Sequence, residues 1–331
     1  MAEFPHRRDV LAGSALAGMA AFAPGVAAQA TATPDLKGKS ILITGAATGF
    51  GFLGALYYAR AGAKVFATMR NLPRPQASEL LNAAETEKLD ITVLELDVLS
   101  EAMVARAVLE AEAQAGGALD VVINNAGIGI TGPVELQDME ATKLIFDTNV
   151  FGAQRVARAA LPAMRKAKRG LIVNISSQLG RVIVPNGGHY SATKFALEAL
   201  SEQMAYELVP HGIDVTIIEP GGFPTDVWRN RNRYTGALKA RLDAVRAAAY
   251  PAVVARMGTE DGSGRSADPM DVPRAIAEIM ALPAGQRPLR RAVHPGPKPQ
   301  EAINEVSAKV QVQMLGGSPY GPWVKAVHEI G

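Results

Sequence analysis

Tyr190-Ser191-Ala192-Thr193-Lys194 opens a helical pattern, and its four-residue spacing puts a phenol and an ammonium on one helix face. A free phenol, with a pKa of about 10, is a poor base at neutral pH. An ammonium ~5 Å away in an effective dielectric of ~20 favours the phenolate by roughly 3 kcal/mol, about 2 pKa units. The pair is then a general acid/base able to take a proton from a hydroxyl or return one to an alkoxide. One Tyr–Lys pair is weak by itself and takes its meaning from its surroundings. His189 adjoins the tyrosine but reads as a surface or packing residue: no acid partner is evident and no G-x-S-x-G occurs, so a serine hydrolase is excluded. Cysteine is absent, which removes thiolate nucleophiles, disulfides and cysteine-ligated zinc. His6, His189, His211, His294 and His328 show no metal-ligand spacing, and no metal is expected.

Short apolar, β-branched runs recur along the chain with room for a helix between them. They are Ser40–Thr44, Lys64–Met69, Ile91–Glu95, Val121–Asn124, Leu171–Ile175 and Asp214–Glu219, with Leu289–Val293 a seventh candidate. Helical patterns fill the gaps at 50–61, 76–88, 100–115, 138–168, 189–208 and 271–282. Strands that are apolar throughout are buried on both faces, so the sheet is parallel and helices cover both sides. The expected fold class is α/β, a doubly wound (Rossmann-type) seven-stranded parallel sheet in a single domain over residues 36–298. Hydrophobic residues at 48% and charged residues at 20% exclude disorder as a whole. Lys plus Arg at 34 against Asp plus Glu at 32 leaves +2 with no basic block, which argues against nucleic acid as a partner. Residues 223–268, an insertion after the sixth strand, and residues 299–331, a C-terminal extension, stand outside the alternation.

Thr44-Gly45-Ala46-Ala47-Thr48-Gly49-Phe50-Gly51 sits between the first strand and the first helix. Glycines there permit a tight turn and close approach of backbone to a pyrophosphate, whose charge then rests at a helix N-terminus. The spacing is TGxxxGxG, and with it the sequence resembles the classical short-chain dehydrogenase/reductase family across residues 38–298. Asn124-Asn125-Ala126-Gly127 is similar to that family's NNAG turn, Asp97-Val98 to its adenine-side contact, and Pro220-Gly221 with Thr225 to the segment flanking the nicotinamide.

The resemblance implies a catalytic tetrad of Asn149, Ser177, Tyr190 and Lys194. Ser177 precedes Tyr190 by 13 residues, the family's offset, which favours it over Ser176. In the implied chemistry Tyr190 exchanges the hydroxyl proton as hydride moves, Ser177 donates a hydrogen bond to the same oxygen, and Lys194 also binds the nicotinamide ribose. Asn149 holds a water that links Lys194 to solvent. The cofactor residues implied are Gly45, Thr48, Gly49, Phe50, Gly51, Arg70, Asp97, Val98, Asn125, Ala126, Gly127, Tyr190, Lys194, Pro220, Gly221, Phe223 and Thr225. An NAD site carries Asp or Glu at the end of the second strand, about 20 residues past the glycine loop. This chain has Met69-Arg70 there, and a guanidinium grips a 2′-phosphate, so NADP is expected ahead of NAD.

In this family the 223–268 segment covers the substrate. Leu238, Leu242, Val245 and Ala249 have the spacing of one lid helix with an apolar face. Phe223, Trp228 and Tyr234 line a hydrophobic pocket or are simply core, while Arg229, Arg231 and Arg233 read as solvated charges rather than an anion site. The segment FATMRN resembles the hydroxysteroid/retinol dehydrogenase branch, which implies a bulky apolar alcohol or carbonyl substrate. Helices at 138–168 and 189–208 resemble those that pair between subunits, implying a homodimer or homotetramer. The extension, with Tyr320 and Trp323, caps a neighbouring subunit or closes the pocket. The rival of another class is a cofactor-binding sensor or scaffold without turnover, against which the complete tetrad argues.

Residues 1–30 read as a twin-arginine signal peptide: Arg7-Arg8, an Ala/Gly-rich apolar run to Ala23, then Ala28-Gln29-Ala30 before a mature start near Thr31. The run is too weakly apolar for a membrane anchor, which needs roughly 20 strongly apolar residues. The expected location is periplasmic, with a cytoplasmic location the alternative. Replacing Arg7 and Arg8 with lysine is expected to trap uncleaved protein in the cytoplasm. N-terminal sequencing of protein from the native host checks this, and a mature chain beginning at Met1 or Ala2 would overturn it.

Overall fold

A computed structural model describes residues 34–330, so the export signal lies outside the described residues. Seven parallel strands are laid down in chain order as β1 (Ser40–Ile43), β2 (Lys64–Met69), β3 (Ile91–Glu95), β4 (Val121–Asn124), β5 (Gly170–Ile175), β6 (Ile213–Pro220) and β7 (Arg290–Val293). Their order across the sheet is β3-β2-β1-β4-β5-β6-β7. The chain runs outward one way from β1 and then returns to start the other half at β4. That reversal opens a crevice beyond the carboxyl ends of β1 and β4, where a ligand binds in such sheets.

Alternation along each central strand builds two cores. Ile41, Ile43, Val65, Ala67, Met69, Val121, Ile123, Leu171 and Val173 face one side. There they meet α1 (Gly49–Arg60), α2 (Pro75–Glu87) and α10 (Asp271–Ala281). Leu42, Phe66, Val122 and Ile172 face the other, under α3 (Glu101–Ala115), α5 (Gly152–Ala167) and α6 (Tyr190–Leu208). Central strands β1, β4 and β5 are buried at every residue, whereas the edge strands β3 and β7 carry partly exposed positions. This is the doubly wound single domain that the apolar runs predict.

Two helical expectations are corrected. The pattern at 138–168 is not one helix: α4 (Met139–Phe146) and α5 are joined by a π-helical turn at Asp147–Phe151. Such a turn inserts a residue into the ladder, and it carries Asn149 inward. The lid spacing Leu238, Leu242, Val245, Ala249 is also broken. α7 (Val227–Lys239) ends before Leu242, and Asp243 caps a new short helix, α8 (Ala244–Ala248), through the N–H groups of Val245 and Arg246. Val245 is consequently 82% exposed. A further short helix, α9 (Pro251–Arg256), completes the lid, whose own small core includes Ile128, Ile130, Leu238 and Met257.

The extension folds as α11 (Gln300–Leu315) and α12 (Gly321–His328) and packs on its own domain against α6 and β7. A buried ionic network ties it down. Arg290 pairs with Glu198 at 2.8 Å and Glu202 at 2.6 Å, Asn304 donates to Glu219 at 2.7 Å, and His328 meets Glu202 and Tyr206. Burial and the Glu198 charge push Glu219 up to about 7, against the Asn304 hydrogen bond and Arg290. Burial also opposes the charge on Glu202, but His328, Arg290 and Tyr206 hold it near about 2. Glu202 therefore stabilises the fold above its unfolded value and loses that contribution as pH falls towards 2; Glu219 does the reverse, and its contribution fades as pH rises through 7.

Arg290→Ala strands three buried carboxylates and is expected to cost about 3–5 kcal/mol at neutral pH. Glu219, raised to about 7, is already protonated at pH 5, so the loss is smaller there. Urea unfolding of both proteins at pH 7 and pH 5 checks this; a loss under about 1 kcal/mol, or one that grows in acid, would contradict it.

Candidate active site

Backbone groups left over at the ends of β1 and β4 fix the floor of the crevice. Thr44 Oγ1 accepts from the N–H groups of Asn125 and Ala126, both at 3.0 Å. In return the Asn125 amide donates to the carbonyls of Thr44 and Gly45 at 3.0 and 3.1 Å. This lock leaves no room for side chains: a Cβ on Gly45 would lie 2.9 Å from Ala126 Cα, and one on Gly51 2.5 Å from Asn125 Nδ2. Gly45 also has φ +68°, where glycine carries no penalty. Thr48 precedes α1 without a side-chain cap bond, so the helix's first N–H groups remain available to an anion. These are the features a pyrophosphate requires.

The other sequence-predicted cofactor residues surround that cradle. Thr225 packs against Gly49, with its Cβ 3.5 Å from where a Gly49 Cβ would stand. Pro220 ends β6, and Gly221 bonds to the Val293 carbonyl at 3.0 Å with the His294 ring pressed against its α-carbon. Phe223 is buried and packs edge-on against Phe50 at 5.4 Å and His294 at 5.5 Å, so it is core rather than an open pocket wall. Asp97 holds the turn after β3 through the Leu99 N–H at 3.0 Å, and Val98 lies against Gly152. Met69 is sealed in the core and Arg70 follows it, with the Arg74 guanidinium donating to the Arg70 carbonyl at 3.3 Å and the Glu95 carboxylate accepting from the Leu72 N–H at 3.2 Å. The Arg70 guanidinium donates to the Tyr234 hydroxyl at 2.7 Å, a contact between β2 and α7 that no spacing in the sequence signals.

Two members of the candidate tetrad, Asn149 and Lys194, meet at Gly127. Its Cβ position lies 3.3 Å from Asn149 Oδ1 and 3.8 Å from Lys194 Nζ. Asn149 accepts from the Ile128 N–H at 2.8 Å and donates to the Ile128 carbonyl and Thr193 hydroxyl at 2.9 and 3.0 Å. These bonds tie α4–α5 to the turn after β4 and to α6. Ser177 lies two residues past β5, and its hydroxyl accepts from the Leu179 N–H at 3.1 Å and stands beside Tyr190. Ser176 is turned the other way, its buried Oγ without a partner and close to Gly180 and Glu198. The structure brings Ser177, not Ser176, to the tyrosine.

Lys194 Nζ donates to the Ile175 carbonyl at 2.8 Å and lies 5.6 Å from the Tyr190 ring centroid. Burial lowers its pKa to about 8, against the opposing charge of Glu198. Burial raises the Tyr190 pKa, and the Ser177 hydroxyl and the Arg231 guanidinium pull it back. The Arg231 charge, from a residue that reads as solvated in the sequence, thus reaches the Tyr190 phenol. His189 packs against Phe146 at 6.3 Å, and burial lowers its pKa. Among the described residues no group of three His, Asp or Glu is placed to hold a metal, and no helix is long and apolar enough to cross a membrane.

The chain is similar in sequence and fold to known proteins. Residues 39–235 match the short chain dehydrogenase family. The chain is 41% identical over 197 residues to 3-ketodihydrosphingosine reductase of Bacteroides thetaiotaomicron, covering 60% of this chain and 68% of that one. It is 39% identical over 193 residues to human retinol dehydrogenase 8, covering 57% of this chain and 60% of that one. Among solved structures, a short-chain dehydrogenase from Streptomyces avermitilis superposes with a TM-score of 0.62 at 28% identity, over 82% of this chain and 96% of that one. With its seven-stranded parallel sheet and glycine cradle at the switch point, the chain belongs to the short chain dehydrogenase family of oxidoreductases.

Proposed function

We propose that the chain interconverts an apolar alcohol and its ketone or aldehyde with NADP(H), using Tyr190 as general acid/base. The reading is supported by Tyr190 with Ser177 beside it and Lys194 Nζ 5.6 Å from its ring, and by Lys194 and Asn149 meeting at Gly127 beside the glycine cradle. A nicotinamide dinucleotide, when bound, supplies the carbon that gives or accepts hydride. Gly45, Thr48, Gly49, Phe50 and Gly51 would hold its pyrophosphate, Asp97 and Val98 its adenine side, and Asn125–Gly127, Pro220, Gly221 and Thr225 its nicotinamide side, with Phe223 packed in the core behind them.

Tyr190 donates its proton to the developing alkoxide in reduction and removes it in oxidation. Ser177 donates a hydrogen bond to the same oxygen and is already held in place by the Leu179 N–H. Lys194, with a pKa of about 8, keeps positive charge at the ring face below that pH. Asn149, anchored by Ile128 and Thr193 beside Lys194, would hold the water that links Lys194 to solvent.

The apolar substrate reading draws support from the branch resemblance, from the relatives' names and from exposed Ile183 and Val184 on the loop between Ser177 and Tyr190. Assembly as a homodimer or homotetramer is supported by Met139, Phe151, Phe195 and Leu200, exposed on the 138–168 and 189–208 segments. Export rests on the N-terminal sequence alone. A twin-arginine route carries folded proteins, so the cofactor would travel bound.

Tyr190→Phe is expected to leave NADPH binding nearly intact while lowering kcat on the order of 10²–10⁴-fold. Steady-state assay over a panel of alcohols and ketones, with NADPH titration alongside, checks it; near-full turnover at neutral pH would remove Tyr190 from the chemistry.

Arg70 is the guanidinium placed for a 2′-phosphate, and a charge-assisted hydrogen bond is worth about 1.5–3 kcal/mol, or roughly 10- to 150-fold. Arg70→Ala is expected to weaken NADPH by that factor and leave NADH almost unchanged. Fluorescence titration of both reduced cofactors decides it, and equal weakening of the two would show that Arg70 does not read the phosphate.

A further inference from the structure

The three alternating arginines of the lid have different fates. Arg229 is exposed and pairs with Asp226, and Arg233 is exposed over the Tyr234 ring. Arg231 is turned inward: its side chain is 17% exposed, and its Cγ and Cδ lie 3.0 Å from where a Cβ on Gly129 would stand. Gly129 is two residues past Gly127, the point at which Asn149 and Lys194 meet. Arg231 thus lies over the next step of the same strand-end loop, and its charge reaches Tyr190.

Its position is built rather than incidental. The guanidinium stacks on Trp228 at 4.2 Å, and Arg265 stacks on the same ring at 3.6 Å. The indole is fixed in turn, its N–H donating to the Phe223 carbonyl at 2.8 Å and its edge held by the backbone of Gly262. Arg265 runs along Gly222, beside the Pro220-Gly221 segment. Glu260 pairs with the Arg231 Nη2 from the exposed side, and Asp261 feels Arg265 through space. The Arg231 Nε is buried and has no acceptor. Glu260 engages Nη2 and leaves the buried Nε–H without an acceptor, and an anion is the acceptor that suits it.

We propose that Arg231 anchors an anionic head on the substrate, which makes this chain's substrate a hydroxy or keto acid with an apolar body. The inference rests on the alcohol/carbonyl reading above and narrows its substrate class. Arg231 lies against Gly129, two residues past the Gly127 at which Asn149 and Lys194 meet, and its charge reaches Tyr190, so a carboxylate held there would lie at the reacting end of the crevice. The apolar body has surfaces to lie against. Ile183 and Val184 are exposed on the loop that the Gly132 N–H joins at Asn186, 2.9 Å away, next to the lid.

A binding measurement without chemistry tests this. Octanoate and octanamide have the same chain and differ in head-group charge; isothermal titration calorimetry of each into the full, NADP-loaded protein reads the charge alone. Octanoate is expected to bind roughly 10- to 150-fold more tightly, the range of a charged hydrogen-bonded contact. Arg231→Gln is expected to bring that ratio to about one while leaving octanamide unchanged, and Arg231→Lys to restore part of it. Arg233→Gln, which changes an exposed arginine of the same helix, is expected to keep the ratio. NADPH titration of each variant establishes that its cofactor cleft is folded. Equal binding of the two probes to the unaltered protein, or equal weakening of both by Arg231→Gln, would overturn the anion site. A shift of the kcat–pH profile on neutral alcohols with an unchanged octanoate ratio would likewise overturn it, making Arg231 a residue that tunes Tyr190. Because no hydride moves in the titration, its failure leaves the dehydrogenase reading standing, and failure of that reading leaves the titration interpretable.

Discussion

Reciprocal hydrogen bonds between Thr44 and Asn125 hold the rest of the site in place. A parallel sheet leaves unpaired backbone groups where its strands end, and at a switch point the neighbouring strands diverge so that no third strand can satisfy them. Here one hydroxyl and one amide do so, tying the turn after β1 to the turn after β4. The tie brings two backbones so close that Gly45 and Gly51 are the residues that fit. It also points the start of α1 into the crevice with its N–H groups uncapped by a side chain. A cradle for a diphosphate follows from that constraint before any side chain of the site is considered.

The reactive side chains hang from a second spine, α6. Tyr190 and Lys194 occupy its first turns, and Glu198 and Glu202 continue the same four-residue row into the ionic network with Arg290. The helix is thus gripped at its far end by buried charge and at its near end by the Ile175 carbonyl and by Asn149 through Thr193. Rigidity of this kind matters because an acid/base must be held within hydrogen-bond reach of a small reacting oxygen. The C-terminal helices contribute to the same grip through Asn304 and His328, although they lie outside the family match at 39–235.

Much of this was legible in the sequence because it depends on local periodicity. Apolar runs such as VVIN and LIVN mark strands buried on both faces, and the four-residue step from Tyr190 to Lys194 needs no tertiary information. What escaped depends on contacts between distant segments. The π-helical turn at Asp147–Phe151 has the composition of an ordinary helix, and it is the Asn149 bonds to Ile128 that accompany the extra residue. Asp243 could have signalled the break in the lid, since an aspartate before an alanine-rich run is a helix cap. Arg231 and its exposed neighbours cannot be told apart by spacing; Trp228, Gly129 and Glu260 separate them only once the chain is folded. The Arg70–Tyr234 contact is of the same kind, spanning 164 positions.

The central claim is hydride transfer between a nicotinamide ring and a carbonyl carbon in this crevice. Its most direct test uses NADPH deuterated at the transferable position, incubated with the full chain and a panel of apolar ketones and keto acids. Mass spectrometry of the recovered alcohols is expected to show one deuterium on the carbinol carbon, supplied from one face of the ring only. Alcohol formed without label from either face, or no alcohol from any member of the panel by cofactor-loaded protein, would contradict the account.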